Sequence, residues 1–109
     1  KKDMIDSGGV KVYPRDVEEV GARHPQVREI AVIGIPHEKW GETPLAFVEL
    51  KPGASVTAEE LIAHCKALLA GYKVPRTIAF MDSLPREDSG KIFKRRLKQP
   101  YWEGSGRRI

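Results

Sequence analysis

The segment with the most chemistry in it is residues 85–97, which reads Pro-Arg-Glu-Asp-Ser-Gly-Lys-Ile-Phe-Lys-Arg-Arg-Leu. Pro85, Ser89 and Gly90 form a turn cluster that delivers Lys91 to the predicted start of a short final helix. Glycine reaches backbone conformations closed to other residues. A lysine carried on such a turn can be inserted into a cavity built by other parts of a protein. There it offers a compact positive charge and three donors, which suit phosphate and carboxylate oxygens. The segment is not a phosphate-binding P-loop, which needs Gly where Pro85 stands and Ser or Thr where Ile92 stands. The plain alternative is a solvated lysine at a helix start, as most lysines are surface charges.

The elements that must hold this lysine fit in one small domain. With 109 residues, 40% hydrophobic and 31% charged, the chain can bury one modest core and is not of disordered composition. No apolar run approaches a membrane span. The opening Lys-Lys-Asp has no leader pattern. The single cysteine, Cys65, excludes an internal disulfide. These features lead to the expectation of a cytoplasmic location, with peripheral membrane association open for a full-length protein. The net charge of +4 is concentrated in residues 91–98 and the final arginines. Such a bias suits a phosphorylated small molecule, nucleic acid or anionic lipid. No interleaved aromatics mark a single-strand platform, and no zinc-ligand spacing is present.

Taken in order, residues 4–6 and 10–13 around Ser7-Gly8-Gly9 predict a small hairpin, whose glycines either make the turn or let backbone approach a ligand closely. Pro14 and the acids after it predict a helix over 14–24. Residues 27–35, rich in β-branched side chains, predict a strand buried on both faces, and 43–51 a second strand. The loop between them holds Trp40, either a lid on a core edge or a flat wall for a ligand. Thr57 with Glu60 makes a capping box for a helix over 57–70, closed by Gly71. His64, off its apolar stripe, reads as a solvated histidine. Tyr72, Lys73 and Arg76 form a basic loop, with or without a ligand, before a third strand at 77–81. The expected architecture is α+β: a small N-terminal β-hairpin, then a roughly three-stranded sheet with flanking helices. The domain is expected to cover 1–98, with 99–109 as a tail.

Four separated segments resemble the adenylate-forming superfamily, which includes acyl-CoA synthetases, peptide-synthetase adenylation domains and firefly luciferase. Residues 85–97 are similar to its C-terminal signature Pro-Arg-x-x-Ser-Gly-Lys-Ile-x-Lys/Arg-x-x-Leu, and the resemblance implies that Lys91 is the catalytic lysine. Residues 1–14 resemble the segment that carries the interdomain hinge and a Ser-Gly-Gly loop. This implies that Lys2 is the hinge and that Gly8 and Gly9 line a pantetheine channel. Val10-Lys11 departs from the commoner Glu-Asn there. Residues 34–42 resemble the Gly-x-Pro-x-x-x-Trp-Gly-Glu loop of acyl-CoA synthetases, which implies that Trp40 packs beside the pantetheine arm. Residues 72–76 resemble the region where the CoA nucleotide binds, which implies binding roles for Tyr72, Lys73 and Arg76. Some members carry a further Arg where Val74 stands.

The resemblance implies the mobile C-terminal domain of a fatty-acid-type acyl-CoA synthetase. It would work with its own N-terminal adenylation domain on a carboxylic acid, ATP and CoA. Mg²⁺ would accompany ATP, with ligands in the N-terminal domain and none here. The fragment alone is expected to be inactive. Three alternatives stay open: an adenylating enzyme that loads a carrier-protein thiol, a basic nucleic-acid-binding module that uses residues 91–98, and a regulatory interaction domain with no chemistry.

Overall fold

The computed structural model describes residues 3–105. At its centre two long strands, β3 (Val27–His37) and β4 (Gly41–Leu50), pair antiparallel with only residues 38–40 between them. Before them come β1 (Ile5–Ser7), β2 (Val10–Val12) and the helix α1 (Pro14–Ala22). After them come α2 (Ala58–Leu68), a single 3₁₀ turn (Gly71–Lys73), β5 (Thr77–Phe80) and α3 (Lys94–Trp102). The hairpin is continuous with the sheet, because Ser7 pairs with Gly41. The order is therefore β2-β1-β4-β3, with β5 lying parallel to β4, five strands in all. The architecture is the expected α+β one, with the hairpin joined to the sheet.

Strand alternation sorts the core into two layers. Ile30, Val32, Ala46 and Val48 point to one face, where Val17 of α1 and Leu61 of α2 cover them. Ala31, Ile33, Leu45 and Phe47 point to the other, where Leu84 and Leu97 cover them. The sheet is buried on both sides, as the β-branched run in β3 predicts. Cys65 is buried beside Val20 and Val74. The capping box is present: Glu60 N–H donates to Thr57 Oγ1 (3.1 Å) and Thr57 N–H to Glu60 Oε1 (2.8 Å).

Four local expectations change. The final helix begins at Lys94, three residues beyond Lys91, because Ile92 is taken up in a β-bridge with Arg86. The helix then runs past residue 98 to Trp102, into the expected tail. Its indole is buried and donates from Nε1 to the Gly34 carbonyl (2.9 Å). Pro100 inside the helix forfeits a backbone bond, and the burial of Trp102 against β3 offsets that loss. Gly71 does not cap α2, which ends on an extended Leu69; Gly71 instead opens the 3₁₀ turn. His64 is half-buried, with Nε2 2.8 Å from the Val20 carbonyl oxygen and its ring edge-on to His24.

The N-terminal end is tied to α3 by charge. Lys94 Nζ lies 2.7 Å from Asp3 Oδ2 and 2.8 Å from Glu18 Oε2, while Lys98 Nζ lies 3.6 Å from Asp3 Oδ1. The partners of Lys94 are thus acids of its own chain. Burial disfavours the charge on Asp3, but the hydrogen bond and charge of Lys94, with those of Lys98, outweigh it and hold the carboxyl below its ordinary 3.8. Burial likewise opposes the charge on Lys94, and Asp3 and Glu18 overcome it, raising Lys94 above 10.5. A lowered carboxyl contributes stability above its unfolded pKa and loses it as pH falls through the folded value. A raised lysine contributes below its unfolded pKa and loses it as pH rises through the folded value. Lys94→Met is therefore expected to destabilise the domain by about 1–2 kcal/mol. That deficit should be flat between pH 4 and 10, limits set by the two ordinary values, and shrink beyond either. Urea unfolding of both proteins across pH checks this; a deficit that grows in acid would contradict it.

Candidate functional site

Lys91 sits on a tight turn, not on a helix. Glu87 N–H donates to the Lys91 carbonyl (2.8 Å), Gly90 N–H to the Glu87 carbonyl (2.9 Å), and Phe93 N–H to the Pro85 carbonyl (2.8 Å). Gly90 has φ +94°, a conformation that side-chain-bearing residues rarely adopt. Lys91 itself is exposed, and among the described residues no acid pairs with it. The ammonium is thus displayed on a defined turn without an internal counter-ion, which leaves it available to an anion brought from outside.

A second site forms around Trp40. His37 Nδ1 accepts from the N–H groups of Lys39 (3.1 Å) and Trp40 (3.2 Å), closing the turn between β3 and β4. The His37 ring stacks on the indole at 4.6 Å and 11°. The Arg76 guanidinium lies over the same indole, 3.8 Å from its ring centroid, a cation–π contact. Gly8 N–H donates to the Trp40 carbonyl (2.8 Å), and a Cβ on Gly8 would stand 3.1 Å from the indole. Gly8 and Gly9 both have positive φ, as a two-residue type I′ hairpin requires. Glycine at position 8 therefore serves both readings, turn geometry and close approach.

Gly8, Trp40, Tyr72 and Arg76 line one open cavity of about 250 Å³, together with Val10 and Thr43. Its walls combine a flat indole, a half-exposed phenol ring and one guanidinium, a set suited to an extended molecule with apolar and anionic parts. The other residues singled out from the sequence fall elsewhere. Gly9 occupies the turn beside the cavity, and its N–H bonds Asp6 Oδ1 (3.1 Å). Lys73 turns towards Asp16 (3.6 Å) while its ammonium stays 5.8 Å from the Tyr72 ring. Lys2 lies outside the described residues. His37 was missed by sequence reasoning, although a histidine three residues before Trp40 could have been read as a turn-former.

The two sites are far apart. Trp40 precedes the first residue of β4, Gly41. The Lys91 turn is tied to the far end of the same ribbon, because Arg86 Nη2 is 3.1 Å from Glu29 Oε2 and Glu29 pairs with Glu49. Gly41 to Glu49 is eight steps of strand, about 27 Å at the usual rise per residue. Lys91 is not among the residues that line the Trp40 cavity. One sheet thus carries two separate candidate surfaces. Among the described residues no cluster of three or more His, Cys, Asp or Glu could hold a metal ion. Nor is any described helix long and apolar enough to cross a membrane.

A small α+β body with a displayed lysine at one end and an aromatic, basic cleft at the other defines a class, and comparison with known proteins identifies it. The chain belongs to the AMP-binding enzyme C-terminal domain family, whose model matches residues 16–91. It is 51% identical over 98 residues to a long-chain-fatty-acid–CoA ligase of Yersinia pestis, covering 90% of this chain and 17% of that protein. It is 48% identical over 99 residues to a 2-succinylbenzoate–CoA ligase of a Geobacillus strain, covering 91% of this chain and 20% of that protein. A solved structure of a Mycobacterium tuberculosis fatty acyl CoA synthetase superposes with a TM-score of 0.85 at 43% identity, over 92% of this chain and 20% of that one. The chain therefore spans about a fifth of the length of these relatives.

Proposed function

We propose that this domain works as the mobile C-terminal part of an ATP-dependent acid:CoA ligase, supplying the adenylation lysine from one surface and part of the CoA channel from another. The observation that carries the reading is the separation of the Lys91 turn from the Trp40–Arg76 cavity on one sheet. Likeness to ligases whose names include fatty-acid–CoA and succinylbenzoate–CoA activities supports a carboxylic acid as substrate, without selecting one acid.

The reaction has two halves. A carboxylate oxygen attacks the α-phosphorus of ATP; pyrophosphate leaves, and an acyl-adenylate forms. The thiol of CoA then attacks the acyl carbon, losing its proton; the carbon–oxygen bond to AMP breaks, giving thioester and AMP. The first half brings two anions together, and a lysine charge between them lowers that barrier most where water is excluded. The second half needs a path for a long flexible thiol, which the Gly8–Trp40 wall provides, with Tyr72 and Arg76 towards the nucleotide. Rotation about Lys2 lets one domain serve both halves in turn. Magnesium would neutralise charge on the phosphates when bound, and this reading places its ligands, with the ATP and acyl pockets, in the N-terminal domain. The domain by itself is expected to be inactive.

The test is a full-length ligase offered carboxylic acids with ATP. Acid-dependent pyrophosphate exchange, followed by AMP release only when CoA is added, is the expected result. Transfer to a carrier-protein thiol and not to CoA would overturn the acceptor assignment. Salt-dependent nucleic-acid binding without pyrophosphate exchange would overturn the whole reading.

A further inference from the structure

The end of the β3–β4 ribbon remote from Trp40 breaks a rule of strand pairing. Glu29 and Glu49 stand directly opposite each other, and like charges in that position destabilise a ladder. Glu49 is also almost wholly buried, at 8% exposed. Both carboxylates are engaged by the segment that leads to Lys91. Glu49 Oε1 accepts the Leu84 N–H (3.1 Å), while Oε2 pairs with Arg28 Nε (3.4 Å). Glu29 Oε2 takes Arg86 Nη2 (3.1 Å), and the other arm of that guanidinium, Nη1, donates to the Gly90 carbonyl (2.9 Å). Gly90 is the residue immediately before Lys91.

Backbone bonds within residues 85–93 fix the shape of the turn but not its direction relative to the sheet. Leu84, bonded to Glu49, and Ile92, packed on the core, seat the two arms of the turn on the sheet; Arg86 reaches its tip, one end of its planar fork gripping the strand through Glu29 and the other the Gly90 carbonyl next to the lysine. We propose that Arg86, anchored by Glu29, is a positioning residue that aims Lys91. This rests on the reading of Lys91 as the adenylation lysine. Arg86 and Glu29 are 41% and 39% exposed in their side chains. Pairs that exposed contribute little to stability, so the effect of breaking this one lies in aim. A misplacement of about 1 Å at a reacting centre can cost about 10²-fold in rate. A lysine at position 86 carries the charge but has no fork with which to hold both oxygens at once.

The experiment uses the full-length ligase and measures each half-reaction separately. Arg86→Ala is expected to slow acyl-adenylate formation about 10- to 100-fold, with KM for ATP and thermal stability little changed and thioester formation from supplied acyl-adenylate near normal. Arg86→Lys should recover only a minor part of the loss. In a Lys91→Ala background, Arg86→Ala should cost nothing further, since it acts through that lysine. Adenylation within about twofold of normal in Arg86→Ala, while Lys91→Ala remains crippled, would overturn the positioning role and leave the function standing. The same additional loss in both backgrounds would also overturn it, by showing a merely structural contribution. If Lys91→Ala is itself unimpaired, the failure belongs to the underlying function. Should Arg86→Ala lose both half-reactions through misfolding, Glu29→Gln decides. It keeps shape, removes the anchor charge and should slow adenylation alone; an unchanged rate overturns the proposal.

Discussion

Replacing Lys91 by alanine in the full-length ligase is expected to slow acyl-adenylate formation by about 10²–10³-fold, the usual loss when a preorganised charge is removed from a transition state. Thioester formation from supplied acyl-adenylate should stay close to its normal rate. The asymmetry follows from geometry. The Lys91 turn is tethered through Arg86 to Glu29, at the end of the ribbon opposite Trp40. A body presenting one end to the substrate pocket withdraws the other, so under the proposed function the lysine is expected to serve only the half-reaction in which carboxylate and α-phosphate must meet. The measurement is pyrophosphate exchange set beside single-turnover thioester formation. Equal losses in both, or none in either, would contradict the assignment. The displayed state of Lys91 adds a constraint, because no acid among the described residues pairs with it. Removing its charge strands no internal partner, so the loss should appear in rate and not in melting temperature.

What could be read from the sequence was local, and what could not was long-range. The capping box at Thr57 and Glu60 was legible because its two hydrogen bonds close within four residues. The burial of β3 on both faces was legible from a run of β-branched side chains with no polar alternation. Gly8 and Gly9 marked a hairpin because a two-residue turn of that type needs positive φ at both positions. The start of the last helix was misplaced because Ile92 obeys a bridge to Arg86 on the other arm of the turn, and no helix-start signal in residues 91–94 encodes that competition. Trp102 was assigned to a tail because Gly104-Ser105-Gly106 reads as loop by local rule. Its burial was decided instead by the packing of the last helix on β3, where the indole donates to the Gly34 carbonyl. The contact between Arg76 and Trp40 depends on β5 pairing parallel to β4, with Thr77 opposite Leu45. Residue types named both as site candidates; only the crossover brings them together. Glu29 and Glu49 carried a visible anomaly, charge on the apolar strands, whose meaning needed the register to appear.

Trp40→Ala is expected to raise the CoA concentration needed for half-maximal thioester formation by about 30-fold or more, the scale set by loss of a central aromatic anchor worth about 2 kcal/mol or more. Pyrophosphate exchange should remain nearly intact. The indole faces several partners at once: it stacks on His37, lies under the Arg76 guanidinium and forms the wall against which Gly8 closes. Alanine removes that wall and releases Arg76 from the ring face, so a thiol arm loses its apolar guide and the nucleotide end loses an oriented cation together. Trp40→Phe keeps a flat ring over part of the area and should recover part of the affinity. The backbone of the loop does not depend on the indole, because His37 Nδ1 holds the N–H groups of residues 39 and 40 and the Trp40 carbonyl accepts from Gly8. The turn should therefore survive the substitution, and intact pyrophosphate exchange in the same preparation is the control that it has. Exchange lost in step with CoA affinity would place Trp40 on the adenylation side and remove the separation of surfaces from which the two-orientation mechanism is argued.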